Sequence, residues 1–594
     1  MRPDHMKLLK KAQGLDRAQK PQEAAAAYRA FLALAPKHGE GWAAFAAQLL
    51  ELGELQEAQE ACQSALALEP HKIATRINLG CILMRRDLWN DAADQFRSIL
   101  ADDPRRMGVQ LFLAECLLHM RDFVGFQKVL AVTNRPGVMT GRYAALQPHH
   151  AELWALYGSA LVEAQRFEEA EDVGSTALLI DPLNFRAKAN LGSVRMAVGA
   201  LEEAEGLFRK LLAEHPRDEK ARLLLITCLA RRGDSANTIH EAALAVQQAP
   251  ASFLVHKSVM GPYYSLGCWT EYRAEVERFR KLAPGLAYLD YEESFVDLLF
   301  GEMSLGWERF EARLKVPKEL RPHRTFEQPT WTGESFAGKR LLVWAEQGLG
   351  DTFMFVRYLH LVKALGGEVI LEAQPILLDV VATCRGVDWL VPAGTPLPAF
   401  DLQVSLMSLP RVFRTDLSNL PAEVPYLRAP GNAPRRAEIQ ELLTRGEGST
   451  RIGLVWAGNP SHARDVERSL PVAILAPLAA LSSVAWYSFQ LGQHEDPPLP
   501  GLISLAPYLS DFSDTAYALS GMDLLITVDT SVAHLAGAMG IPTFLLLTHQ
   551  PDYRWLLNRD DSPWYPTMHL YRQPVHGDWA SVIQKMVSDL TQDV

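Results

Sequence analysis

Hydrophobic positions in the first half of the chain recur at helical spacing in short segments such as "AYRAFLALAP", "AQEACQSALALEP", "EDVGSTALLIDP" and "EGLFRKLLAEHP", each closed by a proline. Pro36, Pro70 and Pro104 are 34 residues apart, and so are Pro182, Pro216, Pro250 and Pro284. A fixed period of this length predicts a repeated pair of helices over 1–284, with proline stopping the second helix of each pair. Pro104 and Pro182 are two periods plus ten residues apart, and the turn-rich stretch "TNRPGVMTGRYAALQPHH" falls between them. A degenerate repeat with an inserted loop is expected near 105–150, serving either as a partner contact or as a tolerated surface insertion. Helical spacing continues in "YEESFVDLLFGEMSLGWERFEARL", through Tyr291, Phe295 and Leu299 and then Trp307, Phe310 and Leu314. This predicts a capping and linking helix pair over 285–330, since the last repeat has an outer apolar face to cover.

From Pro329 the pattern changes to short apolar runs separated by glycine-containing loops. Leu341–Trp344 reads as a buried strand, followed by a glycine loop, a helix and a second strand at Glu368–Glu372, which is a βαβ unit. A second series opens at "RIGLVWAGNPSHARDVERSLP", passes through "VAWYSFQ" and closes with strand Leu524–Val528, helix Ser531–Met539 and strand Thr543–Leu547. Two doubly wound halves are therefore expected at 331–449 and 450–594, in a GT-B type architecture. Their ligands would sit beyond the carboxyl ends of the strands.

The repeat period resembles that of the tetratricopeptide repeat, a helix-turn-helix unit. Trp42, Phe45, Leu49, Ala58, Ala65 and Pro70 occupy its signature positions in one repeat, and Trp154, Tyr157, Gly158, Leu161, Ala170 and Ala177 in another. The fold class is thus an α-solenoid followed by an α/β pair of Rossmann-like halves. Arrays of this kind bind peptides on one face. Asn78 and Asn190 share the sixth repeat position, where related arrays of protein glycosyltransferases use asparagine amides to grip a peptide backbone. They are candidate acceptor-peptide contacts, with solvated helix residues as the alternative.

Composition narrows the class. Of 594 residues 48% are hydrophobic and 22% charged, which excludes global disorder. The net charge of -11 disfavours bulk affinity for nucleic acid or an anionic membrane. Six cysteines without a C-x-x-C pair leave neither a zinc module nor a disulfide framework and fit a reducing compartment. Met1 to Lys11 has no apolar core of a signal peptide, and no apolar run reaches the roughly 20 residues of a membrane span. A cytoplasmic protein of several domains, without membrane insertion, is expected.

Three motifs carry chemistry. "EQGLGD" follows the first strand and holds Gly348, Gly350 and Asp351; Phe353 stands where G-x-G-x-x-G needs its third glycine, which disfavours a dinucleotide cofactor. Asp351 either caps the next helix or acts as the general base toward an acceptor hydroxyl. "TVDTSVAHLAGAMGIP" places Asp529, Thr530 and Ser531 at a helix start that favours an anion, with His534 one turn in as a phosphate or sugar contact or as a core residue. "WAGNPSHARDVERSLP" offers Asn459, Arg464 and Arg468, with Arg468 the better candidate to neutralise a phosphate.

"GLGD", "WAGN" and above all "DTSVAHLAGAMGIP" resemble glycosyltransferase family 9, the ADP-heptose heptosyltransferases, over roughly 338–575. The chain departs from the family pattern at Ser531, where glycine is usual, and Arg464 or Arg468 stands in for a phosphate-binding lysine. Repeats joined to such a region look like the bacterial flagellin glycosyltransferases that attach nonulosonic acids such as pseudaminic acid from a CMP-activated donor. That resemblance implies Asp351 as base, with Thr530, Ser531 and His534 around the donor phosphate, and makes flagellin the acceptor; Gly348, Gly350, Asn459, Arg468 and Asp529 are candidate donor contacts on their own chemistry. Trp555, Trp564 and Tyr565 either wall the crevice or pack in the core. No D-x-D tripeptide occurs, so transfer is expected to be metal-independent and cofactor-free, with inversion implied by the family alone. Two alternatives remain: a heptosyltransferase-like enzyme acting on a saccharide, and a non-catalytic repeat scaffold or chaperone.

Overall fold

The computed structural model describes residues 3–593 apart from 19, 105, 121, 123–124, 127–128, 130–147, 317–323, 447–448, 460–464, 482 and 493–494. Paired helices occupy the first part of the chain, among them Gly39–Leu52 with Leu55–Leu68, Ile73–Arg85 with Trp89–Asp102, and Phe185–Ala197 with Leu201–Glu214. Each period-marking proline lies two residues past the second helix of its pair, as Pro70 does after Leu68 and Pro216 after Glu214. There its ring and missing N–H end the helix without breaking it. Glycine sits where helices touch: a Cβ at Gly80 would strike the Phe96 ring, and one at Gly192 the Phe208 ring. Most of the expected insert, together with Arg464, lies outside the described residues; Pro148 opens the next helix, Pro148–Glu163.

The chain divides into two compact units, Met1–Arg231 with Glu241–Gln248, and Arg232–His240 with Ala249–Val594. The first is built on a continuous apolar core that includes Tyr28, Phe31, Phe45 and Phe96. The sequence boundary at 284 falls inside the second unit, because the helices Phe253–Ser265 and Trp269–Leu282 pack with its α/β part. Tyr264 and Trp269 rest on that part's core, and Gly267 approaches Gln550 so closely that a Cβ would meet the side-chain amide.

The second unit holds two parallel sheets. The first comprises β1 (Arg340–Trp344), β2 (Glu368–Ala373), β3 (Trp389–Pro392) and β4 (Leu402–Ser405) in the order β3-β2-β1-β4. The second comprises β5 (Thr450–Val455), β6 (Val484–Ser488), β7 (Ile503–Ser504), β8 (Leu524–Val528), β9 (Thr543–Leu547) and β10 (Met568–Arg572) in the order β10-β9-β8-β5-β6-β7. Their strands are near-continuous apolar runs because both faces are covered; all five residues of β8 are buried. In each sheet the order reverses beside the first strand, at β1 and at β5, which places a crevice at the carboxyl ends of the strands. Two such sheets in one unit, after helical repeats, form the architecture expected of a GT-B fold.

The two sheets are stitched together by Arg357, which is 1% exposed. Its Nη1 donates to the carbonyls of Trp564 (2.7 Å) and Pro421 (3.2 Å), and Nη2 donates to the Tyr426 hydroxyl (2.8 Å). Aromatic faces of Tyr426, Trp564 and Tyr565 surround its guanidinium. Among the described residues no helix is long and apolar enough to cross a membrane.

Candidate active site

A cavity of about 1180 Å³ opens at the carboxyl ends of both sheets, lined from one side by Gly348–Asp351 and from the other by the loops that follow β5, β6, β8 and β9. Gly348, Gly350, Asp351, Asn459, Arg468, Asp529, Thr530, Ser531 and His534 all border it.

Asp351 sits in the first turn of the short helix Leu349–Phe355 and is 9% exposed. Its Oδ2 accepts the Gly348 N–H at 2.8 Å, while Oδ1 accepts from Arg554. Asp351 thus caps its helix through one oxygen and pairs with Arg554 through the other. Burial pushes its carboxyl above the ordinary range; Arg554 and the Gly348 N–H pull the other way, and Asp552 adds to the rise. Gly350 is required by packing: a Cβ there would come within 2.7 Å of His534 Cδ2.

The helix Ser531–Met539 begins after Thr530, whose side chain makes no capping bond, so its first-turn amides open on the cavity without a side-chain acceptor. Arg468 is held by Asp465 (Nε to Oδ1, 3.1 Å) and donates from Nη1 to the Asp529 carbonyl at 3.0 Å, which fixes it beside the same helix start. Burial, then the Asp552 carboxylate, push Asp529 up, opposed by Trp555, Arg554 and Arg468.

His534 is 5% exposed; Nδ1 is 2.9 Å from the Tyr565 hydroxyl, the ring stacks on Trp555 at 5.3 Å, and Nε2 is 3.9 Å from Asp529 Oδ1. Burial, with Arg554 and Arg357 nearby, holds its pKa well below the usual histidine value, so it is neutral at physiological pH. Trp555, Trp564 and Tyr565 are at most 1% exposed and none lines the cavity. Of the two readings for these aromatics, core packing is the one the structure shows.

Arg554 was not marked by the sequence. It donates to Asp351, and its Nη1 to Asp552 Oδ1 at 2.6 Å, from the turn Tyr553–Trp555 after β9. The available signal was position: loops at the carboxyl ends of parallel strands meet the crevice, and "PDYRW" is such a loop. The two asparagines differ. Asn190 is 4% exposed, its Nδ2 donates to the Ala155 carbonyl at 2.7 Å and its Oδ1 accepts from Ser159 at 3.0 Å. Its amide is thus spent between neighbouring helices, whereas Asn78 is partly exposed on its own helix. Among the described residues no group of three or more His, Cys, Asp or Glu side chains converges as a metal site.

Residues 189–253 match the tetratricopeptide repeat family. Across 477 residues the chain is 23% identical to Protein FlbA of Caulobacter vibrioides, an alignment covering 75% of this chain and 79% of that protein. Among solved structures it is similar to a glycosyl transferase of family 9 from Veillonella parvula DSM 2008 (12% identity, 44% of this chain and 99% of that one, TM-score 0.33). It is also similar to a tetratricopeptide repeat protein from Parabacteroides merdae ATCC 43184 (18% identity, 48% of this chain and 95% of that one, TM-score 0.29). The chain is therefore a protein with tetratricopeptide repeats joined to an α/β region of two parallel sheets.

Proposed function

We propose that this protein is a glycosyltransferase that moves a sugar, a nonulosonic acid such as pseudaminic acid carried on CMP, to Ser or Thr hydroxyls of flagellin recruited by the repeats. The observation that carries the reading is a single cavity bordered by a buried carboxylate from the first sheet, Asp351, and by an uncapped helix start with a fixed arginine, Arg468, from the second. Those are the groups that displacement at a sugar carbon requires. The acceptor oxygen bonds to the anomeric carbon as the bond from that carbon to the phosphate oxygen breaks. The hydroxyl proton passes to Asp351, and the bonding pair leaves on the nucleotide phosphate, where the first-turn amides, Thr530, Ser531 and Arg468 take up the charge. A carboxylate raised by burial is a better base than an exposed one.

Flagellin as acceptor and CMP as carrier come from the resemblance of the two-part architecture. An alignment over three-quarters of the chain is longer than either unit, so the relative shares sequence with both. Repeats that hold a protein acceptor near the cavity would raise the effective concentration of its hydroxyls. The test is to incubate the full chain with purified, unmodified flagellin and CMP-pseudaminic acid and to record intact mass. Stepwise gain of one sugar mass, lost in Asp351→Asn, is the expected result; unchanged flagellin mass across activated nonulosonic donors would sink the reading.

A further inference from the structure

The residues between the repeats and the first sheet make contacts that a cap has no need of. The helix Ala287–Leu299 packs on Met303–Phe310, which continues into the turn Glu311–Leu314. From that turn Arg313, wholly buried, reaches the loop that carries Asp351. Its Nε and Nη2 donate to the Glu346 carboxylate at 3.0–3.2 Å, Nη2 donates to Ser408 Oγ at 2.8 Å, and Nη1 donates to Glu311 at 2.7 Å. Ser405, at the end of β4, donates to the same Glu346 at 2.7 Å. Glu346 is thereby fixed from two directions, five residues before Asp351.

The same helix pair also holds the turn of Arg554, the ion-pair partner of Asp351. Tyr553 is buried among Phe295, Trp307 and Phe310, with ring centroids 5.7, 6.0 and 6.3 Å away. The Arg554 guanidinium lies 4.4 Å over the Tyr553 ring. One element therefore touches both the loop of Asp351 and the turn of Arg554, which belong to different sheets.

We propose that the helix pair 287–314 is a positioning element of the catalytic centre, with Arg313 setting the Asp351 loop through Glu346, and Phe295, Trp307 and Phe310 setting the Arg554 turn through Tyr553. This rests on the transferase reading for its catalytic meaning, though not for its geometry. A planar guanidinium with two carboxylates and two serine hydroxyls around it admits one orientation, and a ring packed by three aromatic neighbours admits little rotation. A catalytic carboxylate displaced by about 1 Å can lose a hundredfold in rate.

The test uses the full chain carrying Arg313→Lys, which keeps the charge but not the fork, or Tyr553→Leu, which keeps an apolar group but removes the ring under Arg554. Hydrogen–deuterium exchange is followed in peptides covering 345–352 and 551–556, and kcat is measured against pH. Arg313→Lys is expected to speed exchange in 345–352 and Tyr553→Leu in 551–556, with exchange of the first unit unchanged. kcat should fall by up to about a hundredfold while the donor KM stays within a few fold. In Tyr553→Leu the acid limb should also move to higher pH. The groups facing Asp351 are Arg554, Asp552, Tyr553 and the Gly348 N–H, with His534 across Gly350, and a displaced Arg554 no longer opposes its protonation. Unchanged exchange in both peptides, or a kcat loss with the acid limb unmoved and exchange raised throughout the unit, would overturn the proposal. If the unaltered protein transfers no sugar, the transferase reading fails and the exchange measurement still decides the positioning role.

Discussion

Asp351 and Arg554 form an ion pair that spans 203 residues of sequence and joins the carboxyl-end loops of two separate sheets. Neither group is more than partly exposed, and each has a second partner: the Gly348 N–H for Asp351 and Asp552 for Arg554. The pair holds the Asp351 carboxylate at the cavity wall.

Asp351→Asn should leave nucleotide binding intact and reduce transfer by about 10²–10⁴-fold, the range contributed by a positioned general base. Isothermal titration with CMP and single-turnover transfer separate the two. Loss of nucleotide affinity with little loss of rate would assign Asp351 to structure.

Arg554→Gln should move the acid limb of kcat upward. In the native protein burial raises the Asp351 carboxyl and Arg554 opposes that rise; without the guanidinium the carboxyl protonates at higher pH, and the base is lost sooner as pH falls. The same limb in Arg554→Lys should lie between the two. A limb in Arg554→Gln at its original pH would mean that another group sets it.

His534→Asn should make folding stability less acid-sensitive. The folded state holds His534 neutral well below the histidine value of about 6.5, so below that pH the unfolded chain binds a proton that the native state refuses. Stability then falls with falling pH at up to about 1.4 kcal/mol per unit, until the native ring itself titrates. Asp351 and Asp529, whose pKa values are raised, act in the opposite sense and remain in the variant. Denaturant midpoints from pH 7 to pH 5 provide the comparison.

Gly350→Ala should destabilise by about 1–3 kcal/mol, the cost of forcing a methyl into a packed contact, because its Cβ would meet the His534 ring. Displacement of either short helix would also lower transfer. Denaturation of the second unit together with a rate assay checks both.

Asn190→Ala should cost about 1–3 kcal/mol, since it leaves the buried Ala155 carbonyl without its donor. Asn78→Ala should leave stability near its original value and weaken capture of flagellin. Melting curves and a flagellin binding isotherm distinguish the two roles.

Much of this organisation is legible in the sequence because it is written in local signals. Prolines at a fixed period report where helices stop, and β8 with the helix Ser531–Met539 is an apolar run followed by a helix start, so its bounds agree with the sequence reading. The missing parts are long-range. Nothing in "PDYRW" announces that Arg554 meets Asp351, since the partner lies in another sheet. Asn78 and Asn190 look alike in register, yet only folding puts Ser159 and the Ala155 carbonyl beside Asn190. Trp269 belongs by period to the repeats and by packing to the α/β unit, because its ring rests on that unit's core.

Arg357 ties one wall of the cavity to the other through the Trp564 carbonyl and three aromatic faces, in a site almost without solvent. Walls joined in this way are expected to stay together when a ligand enters, so the scattering profile of the chain should be the same with and without CMP. On that expectation, most of the ordering that a hinged cleft completes at each encounter would be finished when the chain folds. A molecule arriving at the cavity has chiefly its own motion to lose.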